Sequence, residues 1–566
     1  MRQLGVYLAT AITAVAGTAL VATTPASAAP APAAVTQKTT ASDYIVLQEA
    51  GGTLAAKAAV QKAGGTVLAE NAALGYVVAR SDQAGFQSAV NADKSVLGAA
   101  PNQVIGRAPE TKKADAAQIE VLRKQAGAQG AASTKGAGKT SSSEPLADLQ
   151  WDMKQIDATK KGSYAKQKGS KKVLVGIIDT GVDGSHPDIA PNFSKKLSRN
   201  FVTDIPDIDG PCEVASCKDP ADVDDDGHGT HVASTIGSPV NGIGIAGVAP
   251  DVTLVNIRAG QDSGYFFLQA TLDALTYAGD IGVDVVNMSY YVDPWLYNCT
   301  NNPADTPEQQ KQQQVTRTAV QRAVDYARGK GVLPVAAEGN ENHDLTKSRQ
   351  DTTSPNYPEG VAHERTVDAS CLNVPAQSKG VVTVTSTGQS ERKAYYSSYG
   401  LGVSDVAAPG GDTYDTADQQ RDFGAGILAA YPKHLAELNG DIDENGEPTN
   451  PAVVKSTKGK TVAYYQYLQG TSMASPHAAG VAALVVSEYG KKDKSGLGLS
   501  PAKTEAKLLN SAKEKACPTP RTVTYTRILP TGVVSTSQST CEGPKKNNGF
   551  YGNGIVNAKA AVTGKL

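Results

Sequence analysis

Three short segments of this chain carry side chains that together could break an amide bond. In Gly176-Ile177-Ile178-Asp179-Thr180-Gly181-Val182, an apolar strand ends in a carboxylate and a glycine turn. Asp226-Gly227-His228-Gly229-Thr230-His231-Val232 sets an imidazole between glycines. Gly470-Thr471-Ser472-Met473-Ala474-Ser475-Pro476-His477 opens an Ala-rich apolar helix. Hydroxyl attack on an amide needs a base for the hydroxyl proton, a carboxylate to hold that base in one tautomer, and donors for the oxyanion that forms. Asp179, His228 and Ser472 supply the carboxylate, the base and the nucleophile. Ser472 also opens a helix, where unpaired N–H groups and the dipole favour negative charge. Each residue alone has a plainer reading. A strand-end Asp often only forms a turn, and a Ser at a helix start often only caps it. His228 and His231, three apart, invite a zinc reading, but the glutamate of a His-Glu-x-x-His metalloprotease motif is missing. The conjunction favours catalysis and leaves His231, Ser475 and His477 structural.

The order Asp, His, Ser and the three motifs resemble those of the subtilisin family, or subtilases. The resemblance covers roughly Ala147 to the C-terminus and implies a serine endopeptidase acting through an acyl-enzyme, with no cofactor for the chemistry. In Val335-Ala336-Ala337-Glu338-Gly339-Asn340, it gives Asn340 the role of oxyanion donor. Glu338 departs from the small residue usual there, which implies a charge near the substrate channel or facing solvent. By the same likeness, Asp262-Ser263-Gly264 matches an edge strand that pairs with extended substrate, making Ser263 and Gly264 binding residues. Asn287-Met288-Ser289-Tyr290-Tyr291 matches the second binding segment, with Ser289 and Tyr291 in it; Tyr291 stands where the family commonly has Gly. Asp188 and Asn241 match ligands of a structural calcium site, oxygen donors that suit that ion. Asp441 to Gly446 begins like a calcium loop but has Ala452 where a glutamate belongs, so a solvated loop is expected. The acidic run Asp222 to Asp226 reads as a solvated loop too, with or without an ion. Residues 412 to 466 are a long insertion close to Ser472, either a flap on the leaving-group side or a surface elaboration.

These side chains need a scaffold. Apolar runs at Val173–Ile178, Val252–Ile257, Val283–Met288, Gly331–Ala336, Val381–Val384 and Val403–Ala407 alternate with helical stretches such as Phe267–Ala278 and Val315–Gly329. Buried strands alternating with helices predict an α/β fold, a mostly parallel sheet with helices on both faces. Ligand sites in such sheets lie at the carboxyl ends of the strands, where the motifs fall. Residues 43–107 read differently: their βαββαβ order fits a small α+β, ferredoxin-like domain. It resembles the inhibitory propeptide of many subtilases, which implies self-cleavage between Ile105 and Leu149. Residues 108–146 read as a linker, helical around Ile119 to Gln125, and 147–566 as the catalytic domain.

The first residues read as an export signal. Arg2, the apolar run Leu4–Ala22 and Ala26-Ser27-Ala28 predict cleavage after Ala28, with 29–42 a flexible lead-in. The six cysteines then favour disulfides, and proximity suggests Cys212–Cys217, Cys517–Cys541 and, by remainder, Cys299–Cys371. A net charge of −2 and 5% aromatic residues give no footing for nucleic acid. The implied partners are polypeptide substrates and the chain's own propeptide, around a monomer with no membrane attachment once the signal is removed. A narrow processing protease and a non-catalytic binding protein on the same scaffold are the alternatives.

Overall fold

The computed structural model describes residues 41–49, 52–103, 144–492 and 496–566. The expected export signal, most of the lead-in and the 119–125 helix lie outside them. Among the described residues no helix is long and apolar enough to cross a membrane.

The N-terminal region folds in the predicted order. Strand β1 (Ser42–Gln48), helix α1 (Leu54–Lys62), β2 (Thr66–Asn71), β3 (Tyr76–Ser81), helix α2 (Phe86–Asn91) and β4 (Val96–Gln103) form an antiparallel sheet ordered β2-β3-β1-β4. Alternation along the strands decides what each face meets. Val46, Val77, Ala79 and Ala99 pack under α1 and α2 with Phe86 and Val90. Ile45, Leu47, Tyr76, Val78 and Ala100 join a second core with the helices Leu268–Ile281 and Pro307–Gly329. Arg322 fixes this docking by donating to the carbonyls of Gln48 (2.9 Å), Leu74 (3.2 Å) and Glu49 (2.7 Å). The Pro307–Gly329 helix starts with a capping box, in which Thr306 Oγ1 accepts from Gln309 N (3.2 Å) and Thr306 N donates to Gln309 Oε1 (2.8 Å).

The main body is an α/β fold. Strands β5 (Leu174–Ile178), β6 (Arg199–Asn200), β7 (Thr253–Arg258), β8 (Val285–Met288) and β9 (Leu333–Ala337) are followed by a small pair, β10 (Arg349–Asp351) and β11 (Arg365–Val367), then by β12 (Val382–Thr387) and β13 (Val406–Pro409). Seven of them make a parallel sheet ordered β13-β12-β9-β8-β5-β7-β6. All six apolar runs became strands of it. Their unbroken hydrophobicity is explained by burial on both faces. One face is covered by the helices Leu268–Ile281 and Pro307–Gly329. The other carries the helices His228–Gly237 and Thr471–Tyr489, whose buried residues share one core. The Thr471–Tyr489 helix is apolar all round and buried through Val486, as a helix between a sheet and another helix must be.

The insertion after β13 is neither a flap nor a surface elaboration. It forms an antiparallel sheet of β14 (Ile427–Tyr431), β16 (Thr461–Leu468) and β15 (Val453–Lys458). Both of its faces are covered, with Tyr465 buried on one and Tyr431 and Tyr464 buried on the other. It packs behind the His228–Gly237 helix, where Ala430 N donates to Ser234 Oγ (3.0 Å). The main body also begins earlier than expected. Glu144 is buried and accepts from Gly242 N (3.0 Å), and Leu146 N donates to Gly244 O (2.8 Å). The three disulfides are Cys212–Cys217, Cys299–Cys371 and Cys517–Cys541, the pairing proximity suggested.

Candidate active site

Strand β5 leads straight into Asp179, which is wholly buried. Its carboxylate is oriented by Thr180 N, which donates to Oδ1 at 2.8 Å. His228 Nδ1 lies 2.7 Å from the same oxygen. The approach is close because Gly229, one residue into the helix, presses on the chain after Asp179. A Cβ there would lie 2.0 Å from Gly181 O. Gly227 supplies the left-handed turn into this helix, with φ +95°. Asp224 ties the turn down. Its Oδ1 accepts from Gly227 N (2.9 Å) and Thr180 Oγ1 (3.1 Å), and its Oδ2 from Thr230 N (2.9 Å) and Oγ1 (2.6 Å). Asp224 is 0% exposed, so the acidic run is not simply a solvated loop: its middle residue clamps the aspartate strand to the histidine helix.

Ser472 lies one residue into its helix and is buried. Its Oγ donates to Ser289 O at 3.1 Å, just past β8, the sheet neighbour of β5. Pro476 cannot donate the helical bond owed to Ser472 O. Ser289 Oγ fills that role at 2.9 Å and also meets Ser475 Oγ at 2.9 Å. Ser289 thus braces the first turn of the helix that carries Ser472. Asn340 follows β9 after Gly339, whose φ of +119° needs glycine. Its Oδ1 accepts from Thr471 N (2.9 Å) and Thr471 Oγ1 (3.0 Å), which fixes the amide with its NH2 group as the end left for another acceptor. Thr471 Oγ1 in turn accepts from Gly339 N at 3.2 Å. Glu338 corrects an expectation: it faces neither channel nor solvent. It is 0% exposed beneath this loop, accepts from Ser404 Oγ at 2.8 Å, and burial drives its carboxyl well above the ordinary range.

The other predicted residues divide. Tyr291 Oη accepts from Asn356 Nδ2 (2.9 Å), which pins the ring where the family commonly has none. Ser263 and Gly264 are not on an edge strand. Gly264 N donates to Gln261 O (2.9 Å), Gly264 has φ +84°, and Ser263 N and Oγ both donate to Asp209 Oδ1 (3.0 and 2.7 Å), so that N–H is spent. His231 is structural, with Nε2 3.0 Å from Ile427 O and 3.1 Å from Gln466 O; burial lowers its pKa to about 3. His477 Nε2 meets Asp152 at 3.0 Å. Asp441 accepts from Tyr431 Oη (2.9 Å) and Asn450 Nδ2 (2.7 Å) and braces the inserted sheet.

Asp188 and Asn241 do come together, but as a hydrogen-bonded pair. Asp188 Oδ1 accepts from Asn241 Nδ2, while Oδ2 accepts from Ile245 N and Tyr465 Oη, all at 3.0 Å. Donors therefore surround this carboxylate where a cation would need acceptors, and the set does not fit calcium. Motif reading missed Tyr465, Asp224 and Thr471. Thr471 had a signal, since it sits beside the nucleophile at a helix start.

A buried aspartate paired with a histidine, a serine at a helix N-terminus and an anchored amide, all at the carboxyl edge of a parallel sheet, are the groups that a serine hydrolase of α/β type uses. The profile of the subtilase family of peptidases (S8) matches residues 170–554, and the chain belongs to that family of serine endopeptidases. It is 30% identical over 322 residues to a thermophilic serine proteinase of Bacillus sp. (strain AK1), covering 57% of this chain and 54% of that protein. It is 28% identical over 340 residues to thermitase of Thermoactinomyces vulgaris, covering 60% of this chain and 82% of that protein. In fold it resembles the epidermin leader peptide processing serine protease (EpiP) of Staphylococcus aureus, with TM-score 0.61 and 22% identity over 93% of this chain and 100% of that one.

Proposed function

We propose that this chain is an exported, self-processing endopeptidase whose nucleophile is Ser472. His228 takes the Ser472 proton as the hydroxyl attacks the scissile carbonyl, and Asp179 stabilises the imidazolium through Nδ1. The tetrahedral oxyanion is received by the Asn340 amide and the N–H groups at the start of the Thr471–Tyr489 helix. His228 then returns the proton to the leaving amine, and water releases the acyl group. The observation that carries this reading is the 2.7 Å His228–Asp179 contact, at the end of the strand beside the one whose terminus holds Ser472. Export is supported by the N-terminal signal pattern and by three disulfides, which persist in oxidising compartments.

Residues 43–107 act as the propeptide. The observation in favour is the docking of their sheet on two helices of the main body, with Arg322 bound to three of its carbonyls or those beside it. Cleavage falls between Ile105 and Leu149. The deciding experiment is Ser472→Ala. The chain should accumulate uncut at full length and hydrolyse no peptide. Maturation and activity at the parent level would refute the assignment.

A narrow processing role competes with broad digestion, and Tyr291 favours it. A tyrosine ring held by Asn356 in the binding segment narrows what fits beside it. Cleavage of a diverse peptide library separates the two: a sharp preference at one position supports processing, a flat profile supports digestion.

A further inference from the structure

Just beyond Asn340 the chain enters a strained turn. Asn342 is not a glycine, yet its φ is +56°. Such a left-handed conformation persists where the surroundings over-determine it, and here they do. Asn342 N donates to Tyr396 O (2.6 Å) and Ser398 N donates to Gly339 O (3.0 Å), so the segment after β12 runs beside the turn. The Asn342 side chain is then gripped from two sides. Its Oδ1 accepts from Lys393 Nζ (2.9 Å) and from Ser539 Oγ (2.6 Å). Ser539 lies on a hairpin of strands Thr522–Ile528 and Val534–Thr540, closed at its base by Cys517–Cys541.

Lys393 is wholly buried, and its Nζ also donates to Ala394 O (3.0 Å) and Ser397 O (2.7 Å). Three acceptors around one nitrogen need three N–H bonds, which only the ammonium form has. The rings of Tyr399, Tyr525 and Phe550 lie 4.9, 5.2 and 5.5 Å from that nitrogen, as suits a cation. Burial lowers its pKa; the carboxyls of Asp412 and Glu338 oppose the fall, and Arg392 adds to it. A buried charge is costly unless its hydrogen bonds are made, and one of the three bonds here is made to Asn342. We propose that Lys393 is a positioning residue for peptide hydrolysis, fixing through Asn342 the turn from which Asn340 meets the oxyanion. This rests on the oxyanion role given to Asn340 above. Thr471 holds the amide of Asn340 itself, whereas Lys393 holds the backbone that carries it.

The test compares kcat and KM on one peptide amide, per active site titrated with a serine-directed phosphonyl reagent. Asn342→Gly suits the φ of +56° and removes the acceptor. Its kcat should fall about threefold to tenfold, the worth of one hydrogen bond, with KM unchanged. Asn342→Asp keeps the acceptor for the ammonium, and Ser539→Ala keeps the lysine contact while deleting the serine one. Both should stay within about twofold of the parent. In an Asn340→Ala background, Asn342→Gly should lower kcat no further, since the two act as one unit. A brace of the fold alone would lower the melting temperature and leave kcat per active site unchanged. The proposal is overturned by parental kcat in Asn342→Gly, by an equal fall in Asn342→Asp or Ser539→Ala, or by full additivity with Asn340→Ala. Parental kcat in Asn340→Ala would overturn the oxyanion reading and this inference with it, whereas a fall there beside parental kcat in Asn342→Gly overturns this inference alone.

Discussion

Thr471→Val tests how the oxyanion donor is held. The threonine hydroxyl donates to Asn340 Oδ1 at 3.0 Å and accepts from Gly339 N at 3.2 Å. Valine keeps the shape and the Thr471 N bond at 2.9 Å but deletes both contacts. The orphaned Gly339 N–H costs stability, about 1–3 kcal/mol, in free enzyme and transition state alike, so it largely cancels from kcat. What remains is the freedom of the Asn340 amide to rotate away. Complete loss of such a donor costs about 10²–10³ in kcat, a figure taken from subtilisin itself, a member of this family. Loss of one of two anchoring bonds, about 1–1.5 kcal/mol, sets a floor of about fivefold to tenfold. We therefore expect kcat on a peptide amide to fall about tenfold to 10²-fold with KM unchanged, and Thr471→Ser to restore it. In an Asn340→Ala background, Thr471→Val should have no further effect on kcat, since residues acting as one unit are not additive. Full additivity, or a loss confined to KM, would refute the reasoning.

Other perturbations test the inserted sheet and the binding segment. Tyr465→Phe removes a donor from buried Asp188 and should destabilise by about 1–3 kcal/mol; denaturant melts in excess calcium should show no rescue. His231 stays neutral in the fold, its pKa lowered from 6.5 to about 3 by burial. The unfolded chain binds the extra proton between those values, so this stability is full above pH 6.5 and is lost as pH falls toward 3. The loss is at most about 5 kcal/mol. His231→Gln, which keeps a donor for the strand carbonyls, should flatten that part of the acid-unfolding curve; an unchanged slope would count against it. Tyr291→Ala opens the space beside the Asn356 contact and should widen the range of peptides cut without lowering kcat on the best of them, as read from library profiling.

The chemistry was more legible in the sequence than the walls around it. Asp179, His228 and Ser472 sit in motifs whose residue types answer a local demand, such as a glycine for close approach or a helix start for an oxyanion. Such demands are written within a few residues. The βαββαβ domain and the sheet were legible because burial on one face or two imposes its own period. Asp188, Ser263 and Glu338 were misjudged because their environment comes from far along the chain: Tyr465 for Asp188 and Ser404 for Glu338, with Asp209 holding Ser263 from more than fifty positions away.

The inserted sheet shows why such distance matters to catalysis. A histidine helix in this fold must be held on both sides. From the front, Asp179 and Asp224 hold it through Nδ1 of His228 and the first-turn donors. From behind, β14 and β16 hold it through the His231 ring and Ser234 Oγ. The same sheet sends Tyr465 to Asp188, and Lys458 Nζ to the carbonyl of Asn241, in the loop where a cation would otherwise gather oxygens. One element thus braces the base and substitutes protein donors for an ion. That coupling follows from covalent continuity, because the strand carrying Tyr465 also carries Gln466, whose carbonyl meets His231. Loosening the Asp188 end should therefore be felt at the imidazole, whereas in a chain stabilised there by a free ion the two would respond separately.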